Sequence, residues 1–289
     1  MTVVTLHRRM DADGPSVASS RPGWFFLVEP FERAWHHREL IRAVVARDLK
    51  SRFRDSLLGW VWAIFGPLAL LGGYTAAFSI TAPGALGEGS IFDYAASVFC
   101  GLVFFGVFAE LFARSPTLLH ENVGFVKKSI FPSETIAWTA TIRAFVYGAI
   151  SFATMLVVLL LLGKDLSWTL LLTPFVIAPF FLLMLGMVWF LMALGAFTKD
   201  VSHLVISISP MLMFVTPIFF KIEQLPEWLR SYIQLNPIGA YIEMLRDLAL
   251  KHSLPDASVA VLTFAFSYLA FLGGYRFFLR YKSVIVDVI

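Results

Sequence analysis

From residue 166 to residue 198 the chain runs 33 residues without a charged side chain. One helix of that length would reach about 50 Å, well beyond the ~30 Å hydrocarbon core of a bilayer. Pro174 and Pro179 punctuate the run. It is therefore read as a membrane span over about 174–197, preceded by an interfacial stretch over 166–173. A second uncharged run covers 57–80, with Trp60 and Trp62 near its start. Composition agrees: 58% of residues are apolar and 15% charged, where a soluble domain carries nearer a quarter charged. The 289 residues suit about six spans of ~20 residues each.

Four further spans are read over about 92–112, 136–162, 201–220 and 258–277. Asp93 and Glu110 lie at the ends of the first of these, where charges can snorkel out. Between 221 and 257 the pattern changes. Leu225, Trp228, Leu229, Tyr232 and Ile233 share one helical face; Asn236-Pro237 breaks the chain; Ile238, Tyr241, Ile242 and Leu245 share another. Two short amphipathic helices joined at a proline predict a re-entrant or interfacial hairpin rather than a span. The expected fold is an all-α integral membrane protein. It has six transmembrane helices, an N-terminal amphipathic interface helix and an external re-entrant helical hairpin before the last span. Residues 1–30 are expected to be a disordered cytoplasmic tail, 31–56 the interface helix and 57–289 the six-span domain. Residues 1–23 are polar, with Pro15 and Pro22, and carry no signal-peptide pattern.

Orientation follows from the basic residues. With the N-terminus inside, the inner segments hold 17 Lys and Arg and the outer segments 5, Arg143 left aside. That bias predicts two cytoplasmic termini, cytoplasmic loops at 113–135 and 198–203, and an external hairpin at 221–257. The expected location is a plasma membrane, crossed several times.

The stretch before the first span is the most informative. On a wheel of 100° steps, Ile41, Val44, Val45, Leu49 and Phe53 share a broad apolar face. Arg47, Lys50 and Arg54 fall within about 60° of one another opposite it. Asp48 and Arg52 break the apolar face, four residues apart, and can pair there. The segment reads either as an anchor with its cations at lipid headgroups or as a functional element. Arg143 lies inside the 136–162 span. Charges at such depth point to function, with snorkelling to the inner face as the competing reading.

No catalytic motif is present: no HExxH, no paired-cysteine spacing, no GxSxG. Residues 84–90 echo a phosphate loop but lack the Lys before Ser90. Without a Walker A motif this chain has no P-loop route to ATP. The six histidines are scattered and Cys100 is alone, so neither a metal site nor a disulfide is expected. A net charge of +3 is too small to argue for nucleic acid.

The run ARDLKSRFRDSLLGWVWAIFGPL resembles the start of ABC-transporter permeases that export polysaccharides such as O-antigen, teichoic acid and capsule. It holds the basic stretch Arg47 to Phe53, then Ser56, Leu58, Gly59 and Trp62, and Pro67 in the span. ENVGFVKKSIFPSE resembles the family's cytoplasmic loop between spans two and three. LGAFTKDVSH resembles the next cytoplasmic turn, with Lys199-Asp200 where Arg-Asp is common. The order PIFF, LPEWL, LNPI resembles the external gate helices. The likeness covers residues 38–289.

That resemblance implies a transport subunit rather than an enzyme. It would form a homodimer and dock two copies of a cytoplasmic ABC ATPase, which bind the ATP and Mg; this chain holds no cofactor. The substrate would be a glycan on an undecaprenyl-pyrophosphate-type lipid. Docking would fall to Glu121, Asn122, Phe125, Lys127, Lys128, Phe131, Pro132, Lys199 and Asp200. Arg47, Lys50 and Arg54 would meet the lipid pyrophosphate. Trp60, Trp62, Tyr74, Phe78, Phe214 and Phe219 would line a glycan path, and Leu225, Trp228, Tyr232, Asn236, Pro237 and Tyr241 the external gate. Two alternatives stand beside this. One is an exporter of drugs or small lipids on the same architecture. The other is a membrane enzyme acting on polyprenyl phosphates, which should show a DxxD-like grouping that the cytoplasmic loops lack.

Overall fold

A computed structural model describes residues 25–52, 54, 56, 58–81, 90–126, 132–222 and 225–288. Among them the chain is helical, with no strand. It divides after His36 into two units. In the first, α1 (Phe25–His36) carries Pro30 and an ion pair of 2.7 Å from Glu29 to Arg33, one turn apart. Residues 1–24, expected as most of a disordered tail, lie outside the described residues.

The second unit begins with α2 (Arg38–Arg52), whose Ile41 and Val45 are buried. Gly59 follows in the left-handed region (φ 50°). Only a residue without Cβ takes that conformation without strain, which gives the Ser-x-Leu-Gly stretch its role as the bend into α3 (Val61–Thr81). α4 (Ile91–Arg114) opens on a capping box: Ser90 Oγ accepts from the Asp93 amide at 3.2 Å, and Asp93 accepts from the Ser90 amide at 2.9 Å. A 3₁₀ turn and two short helices, α5 (Leu118–Glu121) and α6 (Val123–Val126), extend it. α7 (Glu134–Leu161) ends in Gly163 at φ 72°, with the Lys164 amide bonded back to Leu159.

α8 (Thr173–Phe197) follows a 3₁₀ segment, so the 33-residue run divides where the prolines predict. α9 (Asp200–Val215) stops short of the span expected to 220. Beyond Val215 the chain turns through Thr216, whose amide still bonds to Leu212, and Pro217 removes the next donor. α10 (Glu227–Gln234) and α11 (Pro237–Ala249) follow, joined at Asn236-Pro237. Asn236 accepts from the amides of Ile238 and Gly239, and Pro237 sits at the first helical position. α12 (Ala257–Val288) runs well past the expected residue 277. Asp256 caps it, accepting from the Ser258 hydroxyl and from the Val259 and Ser258 amides, and these bonds hold its carboxyl below the usual carboxylate range.

Among the described residues, four helical segments can cross a membrane by length and composition: Ile91–Glu121, Glu134–Leu161, Trp168–Phe197 and Ala257–Ile285. Val61–Ala77 and Asp200–Val215 are shorter and equally apolar in kind. α4 lies at the centre, packed by α3, α7, α9 and α11. α8 and α12 make the most extensive pairing. Their backbones cross at Gly186 and Gly274, where an added Cβ would run into Ala270, Phe271 or Gly186 itself. Gly195 meets the Pro116 backbone in the same way. Small residues at a crossing allow close helix packing where lipid supplies no hydrophobic drive.

Candidate functional site

Two charged clusters sit at opposite ends of α4. Asp93 and Glu110 are 17 residues apart, roughly 25 Å along a helix, close to the thickness of a bilayer core.

At the Glu110 end, α2, α4 and α7 enclose a cavity of about 600 Å³. Asp48 is half-buried and Arg52 exposed here, and the two do not pair with each other as their spacing allows. Arg52 donates to Glu110 on α4 at 2.9 Å, and its guanidinium carbon lies 4.2 Å from the Tyr147 ring centre on α7. Asp48 accepts from Arg47 at 3.0 Å and lies 3.8 Å from Arg143 Nη1. Because α2 packs directly on α7, Asp48 comes near Arg143 and Arg52 lies over Tyr147, while α4 supplies Glu110. Arg143 is 5% exposed. Its Nη2 stands 3.7 Å from Glu110, and its Nε and Nη2 have no hydrogen-bond partner. Arg114 and Glu121 close the rim with bonds of 2.8 and 3.2 Å, and Thr117 adds 2.7 Å to Glu121.

An apolar cleft of about 510 Å³ adjoins this cavity between α3, α4 and α7. Trp62, Pro67, Leu70, Tyr74, Phe105 and Tyr147 are among its walls, and Arg52 and Glu110 line both spaces.

At the Asp93 end a third cavity, about 630 Å³, is walled by Asp93, Lys164, Lys221, Glu243 and Arg246 among others. Lys164 pairs with Asp93. Arg246 is buried and fully engaged: it donates to the Ser97 carbonyl at 3.2 Å, the Ile218 carbonyl at 2.7 Å and Glu243 at 2.6 Å. Among the described residues no three His, Cys, Asp or Glu side chains group as a metal site would need.

This arrangement is a helical membrane domain with a charged vestibule at one end of its central helix. Residues 39–250 match the ABC-2 type transporter family over most of the chain. The chain belongs to the ABC-2 type transporter family. Among similar proteins is an O-antigen export system permease protein RfbA of Myxococcus xanthus, 23% identical over 80% of this chain and 88% of the relative. An RfbA of Klebsiella pneumoniae is 25% identical over 78% and 86%. The polysialic acid transport protein KpsM of Escherichia coli is 25% identical over 73% and 81%.

In this ABC-2 type chain the residues singled out from sequence fall in different places. Arg47 is half exposed on the cavity rim and Lys50 is exposed. Arg54 is exposed beyond the end of α2, so the three cations do not continue along one helix. Trp62 and Tyr74 line the apolar cleft, and Trp60 lies 6.3 Å from Tyr147. The Tyr74 ring lies tilted, 4.9 Å from that of Phe219, which is buried, while Phe214 is exposed. The Phe78 side chain lies outside the described residues. Trp228 and Tyr232 are exposed and Leu225 half-buried. Asn236 and Pro237 build the α11 cap. Tyr241 is a core residue: its hydroxyl bonds Ser267 at 2.7 Å and its ring packs on Phe104 and Phe180.

Of the docking set, Glu121 is held by Arg114, and Asn122 closes α5 through a 2.8 Å bond to the Leu118 carbonyl. Pro132 is half-buried; Lys199 and Asp200 are exposed at the start of α9. The Phe125 side chain, Lys127, Lys128 and Phe131 lie outside the described residues. Sequence reasoning passed over Arg114 and Arg246. Arg246 had a signal: it stands four residues after Ile242, on the buried face of its helix.

Proposed function

We propose that this chain is the membrane subunit of an ATP-driven exporter that moves a lipid-linked polysaccharide across the bacterial plasma membrane. The observation that carries this is the family match together with relatives named for O-antigen and polysialic acid transport, aligned along most of both chains. Six spans are formed by α3, α4, α7, α8, α9 and α12, with both termini cytoplasmic. The α10–α11 hairpin re-enters from outside as a gate. Two copies build the path, and two copies of a cytoplasmic ATPase, which hold the ATP and Mg, dock on the 121–134 segment and the Lys199–Asp200 turn. Phe125 and Phe131 anchor that docking, with Lys127 and Lys128 at its rim.

The charged vestibule then faces the cytoplasm, where a lipid-linked glycan arrives with its pyrophosphate. Arg47, Lys50 and Arg54 attract it at the interface. ATP binding in the partner moves the docked segment as a rigid body, and α5 passes the motion to α4 and to α8, against which it packs.

Deleting the gene should remove polysaccharide from the cell surface while its lipid-linked form accumulates inside, and restoring the gene should reverse both. The tagged chain should bring down a Walker-motif ATPase. A deletion strain with an unchanged surface polymer rejects the reading.

A further inference from the structure

Beyond Val215 the chain leaves the helix but stays inside the protein: Thr216, Ile218 and Phe219 are 2%, 0% and 3% exposed. Non-helical backbone among apolar helices is tolerated only where protein groups satisfy it. Here they come from three places. Tyr94 on α4 donates its hydroxyl to the Phe219 carbonyl at 3.2 Å. Asn236, between α10 and α11, donates to the Thr216 hydroxyl at 3.1 Å. Arg246 on α11 donates to the Ile218 carbonyl at 2.7 Å and to the Ser97 carbonyl of α4 at 3.2 Å, with Glu243 at 2.6 Å balancing its charge. One guanidinium fork therefore ties α4, α11 and this segment together. The packing leaves no slack. A Cβ on Gly101 of α4 would come within 2.9 Å of the Ile218 side chain and 3.2 Å of its Cα, and one on Gly239 within 2.9 Å of Pro217.

The rest of α9 is held differently. Of its residues only Val205 is buried, and Lys199 and Asp200 at its start are exposed. Pro210 removes a backbone hydrogen bond between the two ends of the helix. A helix clamped at one end and lightly seated along the rest moves by swinging about the clamp. We propose that Thr216–Phe219 is the fulcrum of α9: Tyr94, Asn236 and Arg246 fix its Val215 end to α4 and α11, and its Asp200 end swings. What drives the swing rests on the export reading, which seats the ATPase on the Lys199–Asp200 turn; the fulcrum itself does not.

Two buried positions report the two ends. Ile218 is 0% and Val205 3% exposed, so a cysteine at either reacts only when its end opens. Ile218→Cys and Val205→Cys, each in a Cys100→Ala background, are labelled with N-ethylmaleimide on the purified full chain in detergent. Val205→Cys should react about tenfold faster or more, because the swinging end opens without breaking the clamp. Arg246→Met should speed the labelling of Ile218→Cys about tenfold or more and leave that of Val205→Cys unchanged. Tyr94→Phe combined with Thr216→Val keeps the packing and removes two of the clamping hydrogen bonds. It should act in the same direction by a smaller factor, and it decides the matter where Arg246→Met is not recovered folded. Equal labelling of the two positions in the parent chain overturns the proposal, because the two ends then open together. Equal acceleration of both by Arg246→Met overturns it as well, because Arg246 then serves general stability. So does an unchanged Ile218→Cys rate in the clamp variants. Labelling the chain alone involves neither ATPase nor transport, so failure here leaves the export proposal standing, and failure of export leaves the fulcrum standing.

Discussion

Arg47 occupies a rim position that charge alone does not explain. It is half exposed, paired with Asp48, and the cation of its arc that lines the vestibule. If it serves only as a positive charge near anionic lipid, worth about 1 kcal/mol, lysine should replace it. If it grips phosphate oxygens in pairs, lysine should not. The expected result is that Arg47→Lys and Arg47→Ala both reduce surface polymer at matched protein levels, with membrane insertion and ATPase binding intact. Export at the wild-type level in both variants removes Arg47 from the substrate path. A second residue-scale expectation concerns Glu134, buried at the start of α7, 2.6 Å from Lys282 on α12. Lys282→Met removes that cation from a buried carboxylate and should destabilise the protein by about 1–3 kcal/mol. The double variant with Glu134→Gln should recover most of the loss in a detergent unfolding assay, which separates the pair from either residue alone.

At the scale of elements, the crossing of α8 and α12 is the contact with least tolerance. Gly186 and Gly274 bring backbone against backbone, so a methyl group cannot be absorbed by a side-chain rotation. Gly186→Ala and Gly274→Ala should each lower the unfolding temperature, whereas Gly73→Ala, which meets nothing within 4 Å, should not. An unshifted unfolding temperature in both crossing variants would show that the two helices separate freely. The helices themselves were legible, because uncharged runs and prolines report burial in lipid directly. The prolines at 174 and 179 placed the start of α8, and Asn236-Pro237 placed the break between α10 and α11. Helix ends were less legible where tertiary bonds decide them: α9 stops at Val215, and α12 continues past 277, drawn on by its pairing with α8. The site was half legible. Arg143, Asp48 and Arg52 stood out as charges in apolar patterns, but which helix supplies each partner is a matter of packing, and a wheel of one helix cannot contain it. Tyr241 and Phe219 read as gate and path residues because aromaticity does not distinguish a core ring from an exposed one.

At the scale of the whole molecule, the reading stands on which face of the membrane each end of α4 occupies. Lys164 and Glu227 belong to the Asp93 end by sequence position, following α7 and preceding α11, and Lys199 belongs to the turn between α8 and α9. In the orientation proposed from the excess of 17 basic residues over 5, that turn and both termini lie inside. Cys100 is buried, so its replacement by alanine gives a background without reactive thiols. Single cysteines at Lys164 and Glu227 should then react with an impermeant thiol reagent on intact cells, and one at Lys199 only after permeabilisation. This pattern needs α8 and α9 each to cross once, and so tests α9 although its 16 residues reach only about 24 Å. If Lys199 and Glu227 label from the same side, α9 does not cross and the six-span arrangement fails. If all three labels invert, the vestibule opens outward, a lipid-linked substrate made in the cytoplasm has no path to it, and the direction of transport proposed here is wrong.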